Sequence, residues 1–162
     1  MMDQTYVETL VTKKHNTAAG ILKIVCGIAA ALSALGMAVS IFSLAAVAVF
    51  GGFAYYFYLE EWVEYEYSYV SRELTVDKIM ARSKRKTLED FSLDKIEIGA
   101  MTGSYHLDNY RGRNCQVKDY SGRNGNETFT FYYEGNRRII LEADPRLMQA
   151  LHSASPSRIF LN

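Results

Sequence analysis

The chain has 162 residues, of which 49% are hydrophobic, and its 18 basic and 18 acidic side chains give a formal net charge of zero. This length accommodates one ordinary domain and an anchor, and it excludes two large domains. The balanced charge lacks the basic excess of a general nucleic-acid-binding protein, so we expect no nucleic-acid partner.

The first element is a short segment that precedes a long apolar run. Tyr6, Val7, Leu10 and Val11 recur at helical spacing, which favours a helix lying along a membrane surface. The same segment is rich in Thr and Val, so an edge strand is the alternative. We assign residues 1–19 to a cytosolic N-terminal segment.

The apolar run extends from Ile24 to Leu59, and none of its 36 residues is charged. A single helix of that length would extend about 54 Å, whereas the hydrocarbon core of a bilayer is ~30 Å thick. We therefore predict a transmembrane hairpin in residues 20–59, with helices near 20–36 and 41–59 and a turn between them. One long span is the alternative. A cleaved signal peptide has a shorter apolar core, and the polar remainder of the chain is too short to bury the run.

Two further features of the run are typical of membrane helices. Small residues at three- and four-residue spacings allow two helices to pack closely, either within the hairpin or between copies of the chain. They are Gly27, Ala30, Ala31, Ala34, Gly36, Ala45, Ala48, Gly51 and Gly52. Aromatic side chains cluster at the end of the second helix, as in the belts found at the lipid headgroups. We predict that this belt contains Tyr55, Tyr56, Tyr58 and Trp62.

Basic residues flank both ends of the predicted hairpin, and its turn has no charge. They are Lys13, Lys14 and Lys23 before the hairpin, and Lys78, Arg82, Lys84, Arg85 and Lys86 after it. Cationic flanks remain on the cytoplasmic side, so we predict a multi-pass plasma-membrane protein with both termini in the cytoplasm. Our hypothesis is that Arg82, Lys84, Arg85 and Lys86 bind anionic lipid, each contributing ~1 kcal/mol. The alternative is a solvated strand end that only satisfies the positive-inside rule.

The residues after the hairpin predict a cytosolic β domain in residues 60–162. Tyr65, Tyr67 and Tyr69 alternate with polar residues, which is the pattern of a strand with one buried face. Leu74 and Val76 resume this alternation, and a bulge is expected near Asp77-Lys78. Further strands are predicted at 86–91, 95–100, 115–120, 127–133 and 137–143, the last two as a hairpin. Residues 99–113 and 121–126 are rich in Gly, Asn and Ser, so we expect mobile loops there.

The domain ends in a predicted helix. Asp144-Pro145 is typical of a capping residue followed by proline in the first turn, and Ser155-Pro156 terminates the helix. The predicted fold is therefore a membrane α-helical hairpin joined to an α+β domain. That domain has a mainly antiparallel sheet or partial barrel and a C-terminal helix.

No pattern of catalytic or metal-binding residues stands out. The histidines are scattered, and there is no Cys-x-x-Cys motif or Gly-rich phosphate loop, so we expect no metal and no cofactor. His106, Asp108 and Cys115 are the residue types of an activated thiol, but they stand in a predicted loop without a supporting motif. A water-facing thiol at Cys115 fits a reducing cytosol. We therefore expect that the protein is not an enzyme.

Several segments resemble an uncharacterised family of small membrane proteins from Gram-positive bacteria. They are Glu64-Tyr65-Glu66-Tyr67, residues 73–79 with the basic residues through Lys86, Lys118-Asp119-Tyr120-Ser121, residues 128–133 and residues 141–158. The strand order with a final helix is also similar to that of bacterial pleckstrin-homology-like domains behind membrane hairpins. The resemblance implies an architecture and no activity.

The expected function is that of a non-enzymatic membrane-anchored protein. The hairpin would localise the chain, and the β domain would bind a protein partner or the inner membrane surface. One alternative is a subunit of a membrane complex, or a homo-oligomer, that packs through its small-residue helices. Another is an enzyme that uses the loop around Cys115.

Overall fold

The computed structural model describes residues 6–38 and 40–161. The described residues divide into two compact units. A helical unit contains residues 15–63 and 80–84, and a β unit contains the residues up to 14, 64–79 and those from 85 onward.

The helical unit is built on two long helices, α1 (Thr17–Leu35) and α2 (Phe42–Glu61), with a single 3-10 turn at Gly36–Ala38. Asn16 caps α1 by accepting a hydrogen bond from the backbone N–H of Ala19 at 3.2 Å. In the turn, the N–H of Ser40 donates to the carbonyl of Gly36 at 3.1 Å. The predicted helix pair is confirmed, and the single long helix is wrong. Val39, which the predicted turn includes, lies outside the described residues.

The expected interface of small residues between the two helices is only partly correct. A side chain at Gly20 would meet the Glu61 carboxylate at 2.9 Å, and one at Gly36 would meet the Ser43 hydroxyl at 3.0 Å. These two glycines therefore allow close approach at the two ends of the hairpin. A side chain at Gly27, Gly51 or Gly52 would meet no atom within 4 Å. These three glycines face outward and do not pack the helices together.

The first sheet of the β unit contains four strands in sequence order. They are β1 (Val7–Thr12), β2 (Val63–Val70), β3 (Glu73–Met80) and β4 (Lys84–Ser92). The helix favoured for the N-terminal segment is wrong, because β1 pairs with β2 in antiparallel register from Val7 opposite Tyr69 to Thr12 opposite Glu64. The physical reason is that the inner side chains of β1 complete the face formed by Tyr65, Tyr67 and Tyr69. Both helices are thus inserted between two hydrogen-bonded neighbouring strands.

The second sheet also has four strands, in the order β5-β7-β8-β6. They are β5 (Ile96–Met101), β6 (Gln116–Asp119), β7 (Thr128–Tyr133) and β8 (Arg137–Glu142). β6 runs parallel to β8, while the other pairs in this sheet are antiparallel. The predicted strands from 86 to 143 are confirmed to within a few residues.

A helix ends the chain, as predicted. We number it α4, because a short helix, α3 (Asp108–Arg111), precedes it. α4 extends over Pro145–Ala154, and the Asp144 carboxylate caps it by accepting from the N–H of Leu147 at 2.9 Å. After α4 the chain returns to β5, where Gly99 and Ile159 form a parallel bridge.

Aromatic residues dominate the core of the β unit. Phe91, Phe129 and Phe131 are completely buried, and the ring of Phe91 packs edge-on against that of Phe131 at 5.3 Å. Tyr67 is also completely buried, and its hydroxyl donates to the carbonyl of Tyr120 at 2.6 Å. This hydrogen bond links β2 in the first sheet to the residue that follows β6 in the second.

The expectation of a mobile loop at residues 99–113 is wrong. The segment contains the end of β5, a 3-10 turn at Tyr105–Leu107 and α3. Leu107 is buried and packs with Ala100 and Tyr132. Tyr132 lies on the opposite face of the second sheet from the core pair Phe131 and Ile139. The segment is therefore a packed cover on the outer face of that sheet. Residues 121–126 do form a loop, and its mobility stays a prediction.

Candidate functional site

The open end of the helical hairpin is held by a pair of opposite charges. The Lys23 ammonium of α1 lies 2.5 Å from the Glu61 carboxylate at the end of α2, and the His15 ring lies 3.4 Å from the same carboxylate. Gly20 makes room for Glu61, as described above. Because the Glu61 side chain is only 11% exposed, these contacts compensate a carboxylate that has lost most of its water.

Aromatic rings surround this pair. Trp62 follows α2 and packs against the His15 ring at a centroid distance of 4.6 Å. Lys23 lies 5.8 Å from the centre of the Tyr58 ring, within range of a cation–π interaction. Tyr55, Tyr56, Tyr58 and Trp62 are each about half exposed. The predicted belt residues therefore lie together at the open end of the hairpin and remain accessible.

The turn between β3 and β4 belongs to the same helical unit and brings two of the four predicted lipid-binding residues to the aromatic rings. The N–H of Ala81 donates to the carbonyl of Trp62 at 2.9 Å. Arg82 lines a shallow groove of about 270 Å³ together with Tyr58 and Trp62. The Lys84 ammonium lies 5.0 Å from the centre of the Tyr55 ring.

We name this set the collar. It consists of Lys23, Tyr55, Tyr56, Tyr58, Trp62, Arg82 and Lys84. Its cations and amphipathic rings match the chemistry of a bilayer headgroup region, where rings lie at the interface and cations meet phosphates.

The other two predicted lipid-binding residues do not join the collar. Arg85 forms an ion pair with Glu66 of β2, and its Nε lies 3.4 Å from the carboxylate of Asp77. Both carboxylates are more than 90% buried, so Arg85 neutralises charge inside the β unit. Lys86 is exposed in β4. Of the four predicted lipid-binding residues, Arg82 and Lys84 thus belong to the collar, Arg85 pairs with buried carboxylates and Lys86 faces solvent.

Comparison with known proteins identifies the family to which the chain belongs. The model of a family described as a bacterial PH-like domain (DUF6106) matches residues 3–161. The chain belongs to this family. No curated protein and no solved structure matches the chain. Membership confirms the expected pleckstrin-homology-like fold, with two sheets and a final helix, and leaves the activity to be argued from the residues.

The PH-like domain also contains a carboxyl pair that sequence reasoning missed. Glu8 of β1 and Glu66 of β2 share a hydrogen bond. Burial and the bond to Glu8 raise the pKa of Glu66, while Arg85 opposes this rise. The bond to Glu66, and then that from the Tyr6 hydroxyl at 2.6 Å, lower the pKa of Glu8. No sequence signal indicated the pair, because the glutamates become neighbours only when β1 forms.

The PH-like domain holds His106 and Cys115 of the alternative thiol site in contacts with apolar and aromatic side chains. The His106 ring is stacked on Phe160 at a centroid distance of 4.1 Å and is tilted against the ring of Tyr105 at 4.0 Å. Cys115 packs against the apolar cluster of Ala100, Leu107 and Tyr132. Within the described residues, no hydrogen bond joins Cys115 to His106 or Asp108, which is the contact that an activated thiol uses. No group of three potential metal ligands occurs among residues 6–38 and 40–161.

Proposed function

We propose that the chain is a membrane-anchored, non-enzymatic binding protein whose helical hairpin crosses the plasma membrane. The PH-like domain would then remain at the cytoplasmic surface and bind a protein partner or the membrane itself. The observation that carries this proposal is the bare surface of the helices. In the most apolar stretches of α1 and α2, only 11% and 0% of the residues are buried.

Those exposures argue against a soluble protein. A core helix would bury its apolar side chains, yet Leu32, Ile41 and Phe42 are 63%, 82% and 83% exposed. The helices have 19 and 20 residues, which gives lengths of about 28 and 30 Å. Each is long enough to cross the ~30 Å hydrocarbon core. With Lys23 and Tyr55 at the headgroups, the parts of α1 and α2 that extend from them to the turn are about 18 and 20 Å long, so the bilayer must thin locally around the hairpin. A removable signal peptide is one short apolar segment at the start of a chain. It accounts for neither helix, because β1 precedes both and α2 follows another long apolar helix.

The strand pairing supports one orientation. β1 and β2 form a continuous ladder on either side of the inserted helices, so both flanks of a membrane hairpin must lie on the same side. Those flanks contain Lys13 and Lys14 before the hairpin and Lys84 after it. Basic flanks favour the cytoplasmic side. The collar then lies at the inner headgroups, where Arg82 and Lys84 contribute ~1 kcal/mol each.

Cysteine labelling tests this topology. In a background with Cys26→Ala and Cys115→Ala, Ile41→Cys places a thiol at the exposed turn and Gln149→Cys places one on the exposed face of α4. In intact spheroplasts we expect a membrane-impermeant maleimide to label Ile41→Cys alone. Gln149→Cys should react only after the membrane is permeabilised. Equal labelling of both thiols before permeabilisation would refute the proposed orientation.

The outward-facing glycines favour a second candidate, a subunit that packs against another membrane span. Gly27 stands four residues before Ala31, and Ala48 four before Gly52; this spacing allows close approach of two helices in lipid. Crosslinking between single cysteines placed on this face should then occur in membranes, and Gly52→Leu should abolish it. A Ser153→Leu variant in α4 is the control and should leave the crosslink intact. If no crosslink formed in the chain that retains its natural glycines, this candidate would be eliminated.

A further inference from the structure

A cavity of about 290 Å³ lies in the PH-like domain, on the outer face of the second sheet. Its floor contains Thr130 and Tyr132 of β7 and Arg138 of β8, and its side contains Thr102, Leu107 and Arg111 of the covering segment. The cavity belongs entirely to the β unit. It shares no residue with the collar or with the carboxyl pair.

The most informative residue in this cavity is Arg138. It stands opposite Tyr132 in the β7–β8 ladder, and its Nε is buried without a hydrogen-bond partner. Within the described residues, the Arg138 guanidinium has no carboxylate partner. A guanidinium that lines a cavity without a carboxylate partner is left without a counter-charge, which an anionic ligand in the cavity would supply.

A second arginine reaches the same cavity from α3. One terminal nitrogen of Arg111 donates to the carbonyls of Thr102 and Ser104, each at 3.3 Å. Its Nε lies 3.3 Å from the carboxylate of Asp108, whose side chain is 61% exposed. Because that carboxylate is in water and pairs with Arg111 from outside the cavity, the lining keeps a net positive charge.

Hydroxyl groups complete the lining. The Thr102 hydroxyl lies 2.7 Å from that of Thr128 and 2.9 Å from that of Thr130, and it donates to the Thr128 carbonyl at 2.9 Å. Thr130 is 1% exposed. The cluster uses its hydroxyl protons internally, so the lining offers a tetrahedral oxyanion the guanidinium of Arg138 and the positive charge of Arg111.

We infer that this cavity binds a phosphate monoester, with Arg138 and Arg111 as its charged ligands. The volume is near the lower end of the range for small-molecule pockets, so it admits a phosphoryl group with a small substituent. A dianion would give the Arg138 guanidinium the counter-charge that it lacks and would neutralise the lining. The same chemistry is found in a soluble phosphate ester and in the headgroup of phosphatidate, and the test separates the two.

Titration of the full chain in nanodiscs with inorganic phosphate tests the inference. We expect saturable binding by calorimetry and a rise in the thermal unfolding temperature. Arg138→Gln should weaken binding about tenfold or more, the usual effect of removing a charged hydrogen bond. Arg146→Gln removes an exposed arginine of α4 and should bind phosphate like the unchanged chain. No binding at millimolar phosphate, or equal affinity in Arg138→Gln, would overturn the inference.

Arg138→Met distinguishes a lost site from a damaged fold. Without phosphate, this variant should unfold at the same temperature or higher, because it removes a partly buried guanidinium whose Nε is buried without a hydrogen-bond partner. It should also lose the phosphate-induced rise. A lower unfolding temperature that phosphate still raises would contradict a role for Arg138 as ligand.

Comparing nanodiscs of phosphatidylcholine alone with nanodiscs that contain phosphatidate identifies the source of the phosphoryl group. Weaker phosphate binding in the second indicates a lipid headgroup, and equal binding indicates a soluble ester.

Discussion

The Tyr67 hydroxyl is a single group that connects the two sheets. It donates to the Tyr120 carbonyl at 2.6 Å and accepts from the Glu142 N–H at 3.3 Å, and its burial raises the pKa of the phenol. Tyr67→Phe keeps the ring and leaves the Tyr120 carbonyl without this donor. We expect a loss of about 1–3 kcal/mol in the free energy of unfolding, measured by urea denaturation in detergent.

Tyr105 provides the matched control for that substitution. Its ring is 70% exposed, so Tyr105→Phe should change the free energy of unfolding by less than about 0.5 kcal/mol. If the two variants had equal stability, the Tyr67 hydroxyl would not link the sheets.

Asp119 predicts how the stability of the domain depends on pH. Burial alone would raise the pKa of this carboxyl. The Ser121 hydroxyl at 2.7 Å, the Ser121 N–H at 3.0 Å and Arg123 at 2.9 Å donate to it and together lower its pKa below the ordinary value. A lowered pKa in the folded state stabilises the fold above the unfolded pKa of ~3.9, and this stabilisation is lost as the pH falls below about 4.

Asp119→Asn should therefore destabilise the domain at neutral pH by about 1–2 kcal/mol. As the pH falls from about 5 through the range in which carboxyl groups ordinarily titrate, the variant should also lose less stability than the unchanged chain. Thermal unfolding at a series of pH values measures both effects. Glu127→Gln, at an exposed position, is the control and should keep the acid dependence. An unchanged acid slope in Asp119→Asn would contradict the prediction.

At the scale of elements, the helices and strands that were predicted correctly are those whose sequence pattern lies within a few neighbouring residues. The alternation of Tyr65, Tyr67 and Tyr69 identified β2, because a strand with one buried face repeats every two residues. Asp144-Pro145 located the start of α4 for an equally local reason. The two apolar helices followed from length and the absence of charge.

The elements that were predicted wrongly depend on distant partners. The inner face of β1 consists of Val7, Thr9 and Val11. Leu10 is 57% exposed, and counting it as part of an apolar face gave the segment the spacing of a helix. The partner strand that selects the extended form comes more than fifty residues later. Residues 99–113 were predicted to be a loop because their composition is polar, whereas the buried side chain of Leu107 packs them against the sheet.

The candidate sites follow the same division. The aromatic part of the collar was visible as a cluster of rings in the sequence. The pairing of Arg85 with Glu66 was not, since it depends on the packing of β2, β3 and β4. The cavity at Arg138 was missed for a similar reason. Its lining comes from β7, β8 and the covering segment, and only the strand register brings these residues together.

At the scale of the whole molecule, the helices form an insertion between two strands that pair with each other. Thr12 and Glu64 are direct partners across the β1–β2 ladder, so a short turn can join the strands as in any antiparallel hairpin. We therefore expect that a variant with residues 15–62 replaced by a turn of about four residues folds without detergent. It should remain in the supernatant after ultracentrifugation, while the full chain sediments with membranes.

A fragment that begins at Val63 separates the role of β1 from that of the helices. This fragment also lacks both helices, but it leaves β2 as an unprotected edge and removes the side chains that cover the inner tyrosines. Exposed edges and uncovered apolar faces favour aggregation. We expect the fragment to aggregate or to unfold at a lower temperature than the variant with the short turn. If both proteins were equally stable, β1 would be dispensable. If the short-turn variant still sedimented with membranes, the helices would not be the anchor, because the surface that holds the chain there would belong to the β unit.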